Sequence, residues 1–297
     1  MFSILLLAGL ASGIIPPGDT ASVRDITVGE GETLHVSSAG TGAPVVLVPG
    51  LFGSAYGYRR LVGPLEEHGY RVIIVEPLGT GTSAYPKGVD YSLTAQADRI
   101  ASVLDTLGVR HVLVVAHSVG VSMALRLTYR RPELVRGLLA IDGGPVEEAA
   151  TPGLRHAMKF TLFLKLFMGQ GTLRKKVRHA MIENSGDTTW ITDSVVQGYT
   201  AGPARDLHRT IDVLHGMAKA REPALLRDHL AEIHVPVRLM VGAVPHGSAI
   251  TPDEITELKD AIGDFGVDSI PGSGQFIHEE QPDSVVAAVV ALDRAAK

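Results

Sequence analysis

The sequence predicts an α/β fold: a mostly parallel sheet flanked by helices, with a helical insertion. Three observations lead there. Short apolar runs of strand length alternate with segments whose apolar residues recur at helical spacing. One run, Val112–Val115, passes through Ala116-His117-Ser118-Val119-Gly120 straight into the helix-like stretch Val121–Tyr129. The alternation stops at Pro145, gives way to purely helical patterns as far as about His234, and resumes at Val235. Strand–helix repeats of this length imply parallel strands joined by right-handed crossovers.

In chain order, Arg24–Val28 and Thr33–Ser37 read as a hairpin, and Val45–Val48, ending in Pro49-Gly50, as a buried strand. A helix-like segment around Tyr58–His68 leads to a second buried strand, Arg71–Val75. Leu93, Ala97, Ile100, Val103, Leu104 and Leu107 share one helical face, and Gly108 supplies the stop. The strand Leu138–Ile141 follows the Val121–Tyr129 helix. After the insertion come the strand Val235–Val241, the helix Ile255–Ile262, the strand Gly266–Ile270 and a closing helix, Asp283–Arg294. The expected organisation is one core formed by residues 23–144 and 235–297, a helical cap at 145–234, and an N-terminal segment at 1–22. In that segment the apolar stretch Phe2–Ile15 contains Ala11-Ser12-Gly13 and precedes Pro16-Pro17-Gly18, which resembles a secretory signal and predicts a secreted or periplasmic protein, the alternatives being an apolar N-terminal anchor and a cytoplasmic protein.

A chain of 297 residues with 45% hydrophobic residues can bury a sizeable single core. Its net charge of −5 offers no field for polyanions, which excludes nucleic acid as an expected partner and leaves a small molecule. The absence of cysteine rules out disulfides, thiolate metal sites and a thiol nucleophile. The twelve histidines include no H-E-x-x-H or comparable cluster, so no metal site is expected. Gly79-Thr80-Gly81 is too short for a dinucleotide fingerprint, and no cofactor is expected. Within the insertion, Lys159–Met168 is densely apolar and reads as a helix whose apolar face packs on the core and lines a pocket for an acyl or aromatic group. The basic run Arg174-Lys175-Lys176 beside it allows membrane-surface contact, which is the less favoured reading.

A serine between small residues at a strand-to-helix turn is held out of the sheet on a nucleophile elbow, which makes Ser118 the candidate nucleophile. Other segments fall into line with it. Val45-Val46-Leu47-Val48-Pro49-Gly50 resembles a strand ending in H-G, with proline in place of the histidine. Glu76-Pro77-Leu78-Gly79-Thr80-Gly81-Thr82-Ser83 resembles D-x-x-G-x-G-x-S, and Tyr91-Ser92-Leu93 and Leu107-Gly108-Val109 open and close the next helix. Gly272-Ser273-Gly274 followed by Glu280-Gln281-Pro282 resembles a last loop and final helix. Together these motifs make the chain resemble the α/β-hydrolase family from Arg24 onward.

That resemblance implies a serine hydrolase acting on an ester or related acyl compound, with the N–H groups of Leu51 and Val119 as oxyanion donors and the insertion as a cap. In the family's register, glutamine (Gln275) stands where the histidine base belongs and proline (Pro245) where the carboxylate belongs. An amide nitrogen cannot take a proton from serine. The base would then be His278, three residues further on, or His246, in the loop after the Val235–Val241 strand. Some members carry the acid after an earlier strand, which makes Asp142 the acid candidate. His117 is expected to serve packing. Two other activities remain open: a ligand-binding protein on a disabled hydrolase scaffold, and a cofactor-free lyase or haloperoxidase.

Overall fold

A computed structural model describes residues 21–297. The apolar stretch Phe2–Ile15 lies outside the described residues. Eight strands form one sheet: β1 (Ser22–Gly29), β2 (Glu32–Ala39), β3 (Ala43–Val48), β4 (Tyr70–Val75), β5 (Val112–His117), β6 (Val135–Ile141), β7 (Val237–Gly242) and β8 (Phe265–Ile270). Their spatial order is β1-β2-β4-β3-β5-β6-β7-β8. The β1–β2 and β2–β4 pairs are antiparallel and every later pair is parallel.

The central strands are apolar without interruption because both of their faces are covered. Side chains alternate across the sheet, so neighbouring residues serve different cores. Val46, Val48, Ile73, Val114 and Leu138 pack with α2 (Leu93–Leu107), α3 (Val119–Arg130) and α9 (Pro252–Ala261). Val45, Leu47, Ile74, Leu113 and Val115 pack on the other side with α1 (Arg59–Glu67) and α11 (Pro282–Ala295). Every residue of β5 is buried, which fixes the height at which the chain leaves the sheet for α3.

Between β6 and β7 lie five helices: α4 (Pro152–Met158), α5 (Thr161–Phe167), α6 (Gln170–Glu183), α7 (Asp193–Arg205) and α8 (Leu207–Lys219), followed by a 3-10 segment at Leu226–Glu232. The expected apolar helix over Lys159–Met168 forms as α5 over Thr161–Phe167, with Lys159 and Phe160 separating it from α4. Its apolar content does not all turn inward. Thr161 Oγ1 lies 2.9 Å from His215 Nδ1 of α8, and Lys165, one turn on, pairs with Asp212 of α8. Those two anchors and Leu164 face the fold, so Phe160, Leu162 and Leu166 are left exposed.

Candidate active site

The turn between β5 and α3 is built from backbone. Ser118 has φ 53° and ψ −129°, a conformation costing roughly 1–3 kcal/mol for a residue with a side chain. Two hydrogen bonds hold it there: Ser118 N–H donates to the Ile141 carbonyl at 3.0 Å, and the Ser118 carbonyl accepts from Val121 N–H at 2.9 Å. Two glycines let neighbouring chain come close. A Cβ on Gly120 would meet the carbonyl oxygens of Val48 and Pro49, each at 2.8 Å. A Cβ on Gly50 would sit 2.9 Å from the His117 carbonyl oxygen and 3.0 Å from Ser118 Cβ. The turn after β3 therefore passes directly beside the serine.

The N–H of Val119, the first residue of α3, is one of the helix's unpaired N-terminal donors. Leu51 N–H has no backbone acceptor among the described residues. Leu51 and Val119 border one small cavity with Gly50, Leu93, Met123 and Met217. Its volume is about 10 Å³, about the room one water needs. Met217 comes from α8, so the insertion closes part of this wall.

The side chains that would move a proton are arranged differently from the sequence expectation. Gln275 Nε2 donates to Ser118 Oγ at 3.3 Å, and among the described residues it is the side chain that reaches this oxygen. Gln275 is pinned from two sides, its N–H donating to the Asn184 carbonyl at 2.7 Å and its own carbonyl lying 3.1 Å from His117 Nε2. That contact gives His117 a role in holding the loop, and burial brings its imidazole pKa down to about 4, with the Gln275 carbonyl opposing.

Asp142 and His246 do come together. Asp142 follows β6 at φ 43°, its N–H bonded to the Met240 carbonyl, and its Oδ2 lies 2.7 Å from His246 Nε2. The other ring nitrogen of His246, Nδ1, lies 2.8 Å from the Val244 carbonyl. The Val244 carbonyl and an ionised Asp142 both accept, an arrangement that favours the doubly protonated ring. Burial works against that charge, but the bonds to Val244 and Asp142 outweigh it and raise the pKa of His246. Burial also raises Asp142, against the attraction of His246. The pair adjoins the elbow through the chain itself, because a Cβ on Gly143 would fall 2.3 Å from the Ser118 carbonyl oxygen. Neither ring nitrogen of His246 is hydrogen-bonded to Ser118.

His278 is not brought to the serine. It sits on the short helix α10 (Ile277–Glu280), which turns it into the fold. Its ring packs 4.5 Å from that of His117 and 5.4 Å from that of Tyr58, and Nε2 lies 3.5 Å from the Tyr199 hydroxyl. Burial first, then His117 and Arg59, push its pKa well down.

Two carboxylates next to each other support the loop and the insertion. Glu279 is buried and accepts from the Tyr199 hydroxyl at 2.9 Å and from Arg59 at 2.5 Å, tying α10 to α7 and α1. Glu280, the acid of the Glu280-Gln281-Pro282 motif, accepts from the N–H groups of Gly186 and Asp187 at 2.9 and 3.0 Å and so ties the insertion to the loop that carries Gln275. The motif marked Glu280; nothing in the sequence pointed to the Glu279 contacts. Glu76 is structural, receiving Ala55 N–H at 2.8 Å and the Thr82 hydroxyl at 2.9 Å.

A family model described as alpha/beta hydrolase fold matches residues 43–185. The sn-1-specific diacylglycerol lipase ABHD11 of Mus musculus is 25% identical over 260 residues, covering 84% of this chain and 80% of that protein. A 2-hydroxy-6-oxononadienedioate/2-hydroxy-6-oxononatrienedioate hydrolase of a Pseudomonas species is 31% identical over a shorter stretch, 45% of this chain and 49% of that protein. Among solved structures, the epoxide hydrolase CorEH superposes with a TM-score of 0.77 at 18% identity, covering 93% of this chain and all of that one. A thermophilic esterase from Thermogutta terrifontis gives 0.74 at 21% identity, covering 93% and 99%. Sheet order, elbow and sequence match agree: the chain has the α/β-hydrolase fold, and residues 43–185 match that family's model.

Proposed function

We propose that the protein is a hydrolase that cleaves an ester or related acyl compound at Ser118. The observation that carries this reading is the nucleophile half of the site: a serine strained out of the sheet, with the Gly50 turn against it and two amide donors beside it. The likeness to a diacylglycerol lipase and to a 2-hydroxy-6-oxononadienedioate/2-hydroxy-6-oxononatrienedioate hydrolase supports a hydrolytic reaction. In the reaction, Ser118 Oγ attacks the acyl carbon and the Leu51 and Val119 amides hold the oxyanion. The proton goes to His246 once that ring has lost its Nδ1 proton to solvent: the neutral ring keeps its Nε2–H bond to Asp142, gives up the Val244 carbonyl and presents the unprotonated Nδ1 to the serine. The same nitrogen then protonates the leaving group, and in the second half it takes a proton from the water that releases the acyl group and returns it to Ser118 Oγ. Methionine and leucine side chains on the cavity wall suit an apolar acyl group, and the unbranched methionines can make way for it.

One contact favours a second reading, a ligand-binding protein without turnover. The Gln275 carboxamide points its donor at Ser118, and it has no basic lone pair to offer from that nitrogen. Hydrolysis of short p-nitrophenyl esters by the unmodified chain and by Ser118→Ala, His246→Ala and Gln275→His separates the two. Turnover that disappears with either of the first two substitutions supports the hydrolase. An inactive unmodified chain that gains turnover on Gln275→His supports the binding protein.

A further inference from the structure

We propose that the exposed face of α5, with the start of α6, docks on a bilayer surface rich in anionic headgroups. Phe160, Leu162 and Leu166 are 57%, 74% and 69% exposed, and Leu162 and Leu166, four residues apart, stand on one side of α5. Such grouping is unlike the scattered exposure of single apolar side chains elsewhere, such as Val23 and Leu225. The charge around it is one-sided. Residues 149–182 contain seven Lys and Arg and no Asp or Glu, in a chain whose net charge is −5.

Three of those cations are used inside the fold: Arg155 pairs with Glu148, Lys165 with Asp212 and Arg178 with Asp193. Lys159, Arg174, Lys175 and Lys176 are exposed and have no acidic partner among the described residues. Apolar side chains beside unpaired cations are what an interfacial segment presents, the first entering the acyl boundary and the second meeting the headgroups.

Charge chooses this occupant over a second copy of the chain, because self-association through this face would bring two basic helices together. No helix among the described residues is long and apolar enough to cross a membrane. The face is also well placed, since α5 packs on α8, and α8 sends Met217 into the cavity beside Ser118. The inference does not depend on the chemistry at Ser118.

Co-sedimentation of the full chain with phosphatidylcholine vesicles, with and without roughly a third phosphatidylglycerol, tests it. The expected result is binding to the anionic vesicles that weakens at about 0.5 M salt, where screening shortens the reach of the charges. Arg174→Glu/Lys175→Glu/Lys176→Glu should lower the partition coefficient by about tenfold or more. Phe160→Ser/Leu162→Ser/Leu166→Ser should do the same, while Val23→Ser/Leu225→Ser, which removes exposed apolar side chains elsewhere, leaves it unchanged. Ser118→Ala protein should bind as the unmodified chain does, so a failed esterase assay leaves this result standing. Absence of binding to anionic vesicles, binding that both triple variants retain, or a concentration-dependent dimer abolished by the apolar triple variant without vesicle binding would overturn the proposal.

Discussion

The two halves of the candidate site obey different rules. The half around Ser118, the candidate nucleophile, from the ends of β3 and β5, is made of backbone: a strained turn, a helix N-terminus and two glycines that permit close approach. The half that holds the candidate base and acid, from the loops after β6, β7 and β8, is made of side chains, with Gln275 against the serine and an imidazole paired to Asp142 one step away. Geometry set by backbone survives substitution, whereas a proton relay depends on the identity of each residue.

The largest expected effect lies in the first half. Ser118→Ala should abolish labelling by a fluorophosphonate and lower ester turnover by about 10³- to 10⁶-fold while leaving the fold in place. Labelling that persists in the variant would move the nucleophile elsewhere and end the comparison. In the second half, Asp142→Ala should destabilise the protein by about 1–3 kcal/mol in urea unfolding, because it leaves the buried His246 Nε2 without its acceptor. His246→Ala/Asp142→Ala should recover part of that loss, since the unpaired ring nitrogen is then gone too. Gly120→Ala probes the backbone half more gently. Its methyl meets two carbonyl oxygens at 2.8 Å, so a loss of about 1–3 kcal/mol is expected, with turnover falling further than stability because Ser118 moves with the turn.

What the sequence revealed follows the same division. The elbow was legible because a fully buried strand must read as an apolar run, and the tight turn after it demands small neighbours. Asp142 was legible because it directly follows such a run at β6. The hairpin, the strand–helix alternation and the helical insertion were legible from periodicity alone. Ring directions were not. His246 and His278 were equal candidates in the sequence, and what separates them is packing at a distance: α10 turns His278 toward Tyr199 of α7, while the loop after β7 lays His246 on Asp142. The fate of Phe160, Leu162 and Leu166 was hidden for a related reason. Apolar spacing shows that a helix has faces but not which face has a neighbour, and here the polar anchors Thr161 and Lys165 took the inward side.

The smallest effect is the most specific to the two imidazole environments, and it has opposite signs. His246 has a raised pKa in the fold, so its contribution to stability is complete below the ordinary value of about 6.5 and is lost as pH rises through the raised value. His117 and His278 are lowered by burial, so the unfolded chain takes up protons that the fold excludes, and stability declines as pH falls below about 6.5; for His117 the decline ends near its folded pKa of about 4. Urea unfolding across this range should show His246→Gln flattening the alkaline slope alone and His117→Gln the acid slope alone. The same raised pKa bears on catalysis. If His246 accepts the Ser118 proton, ester turnover must rise with pH through a value above that of an ordinary histidine, because the ring acts as a base only after losing a proton. A turnover profile that is flat across that interval, measured on a chain whose alkaline stability slope is intact, would leave His246 as a structural partner of Asp142 and give the base role to another group.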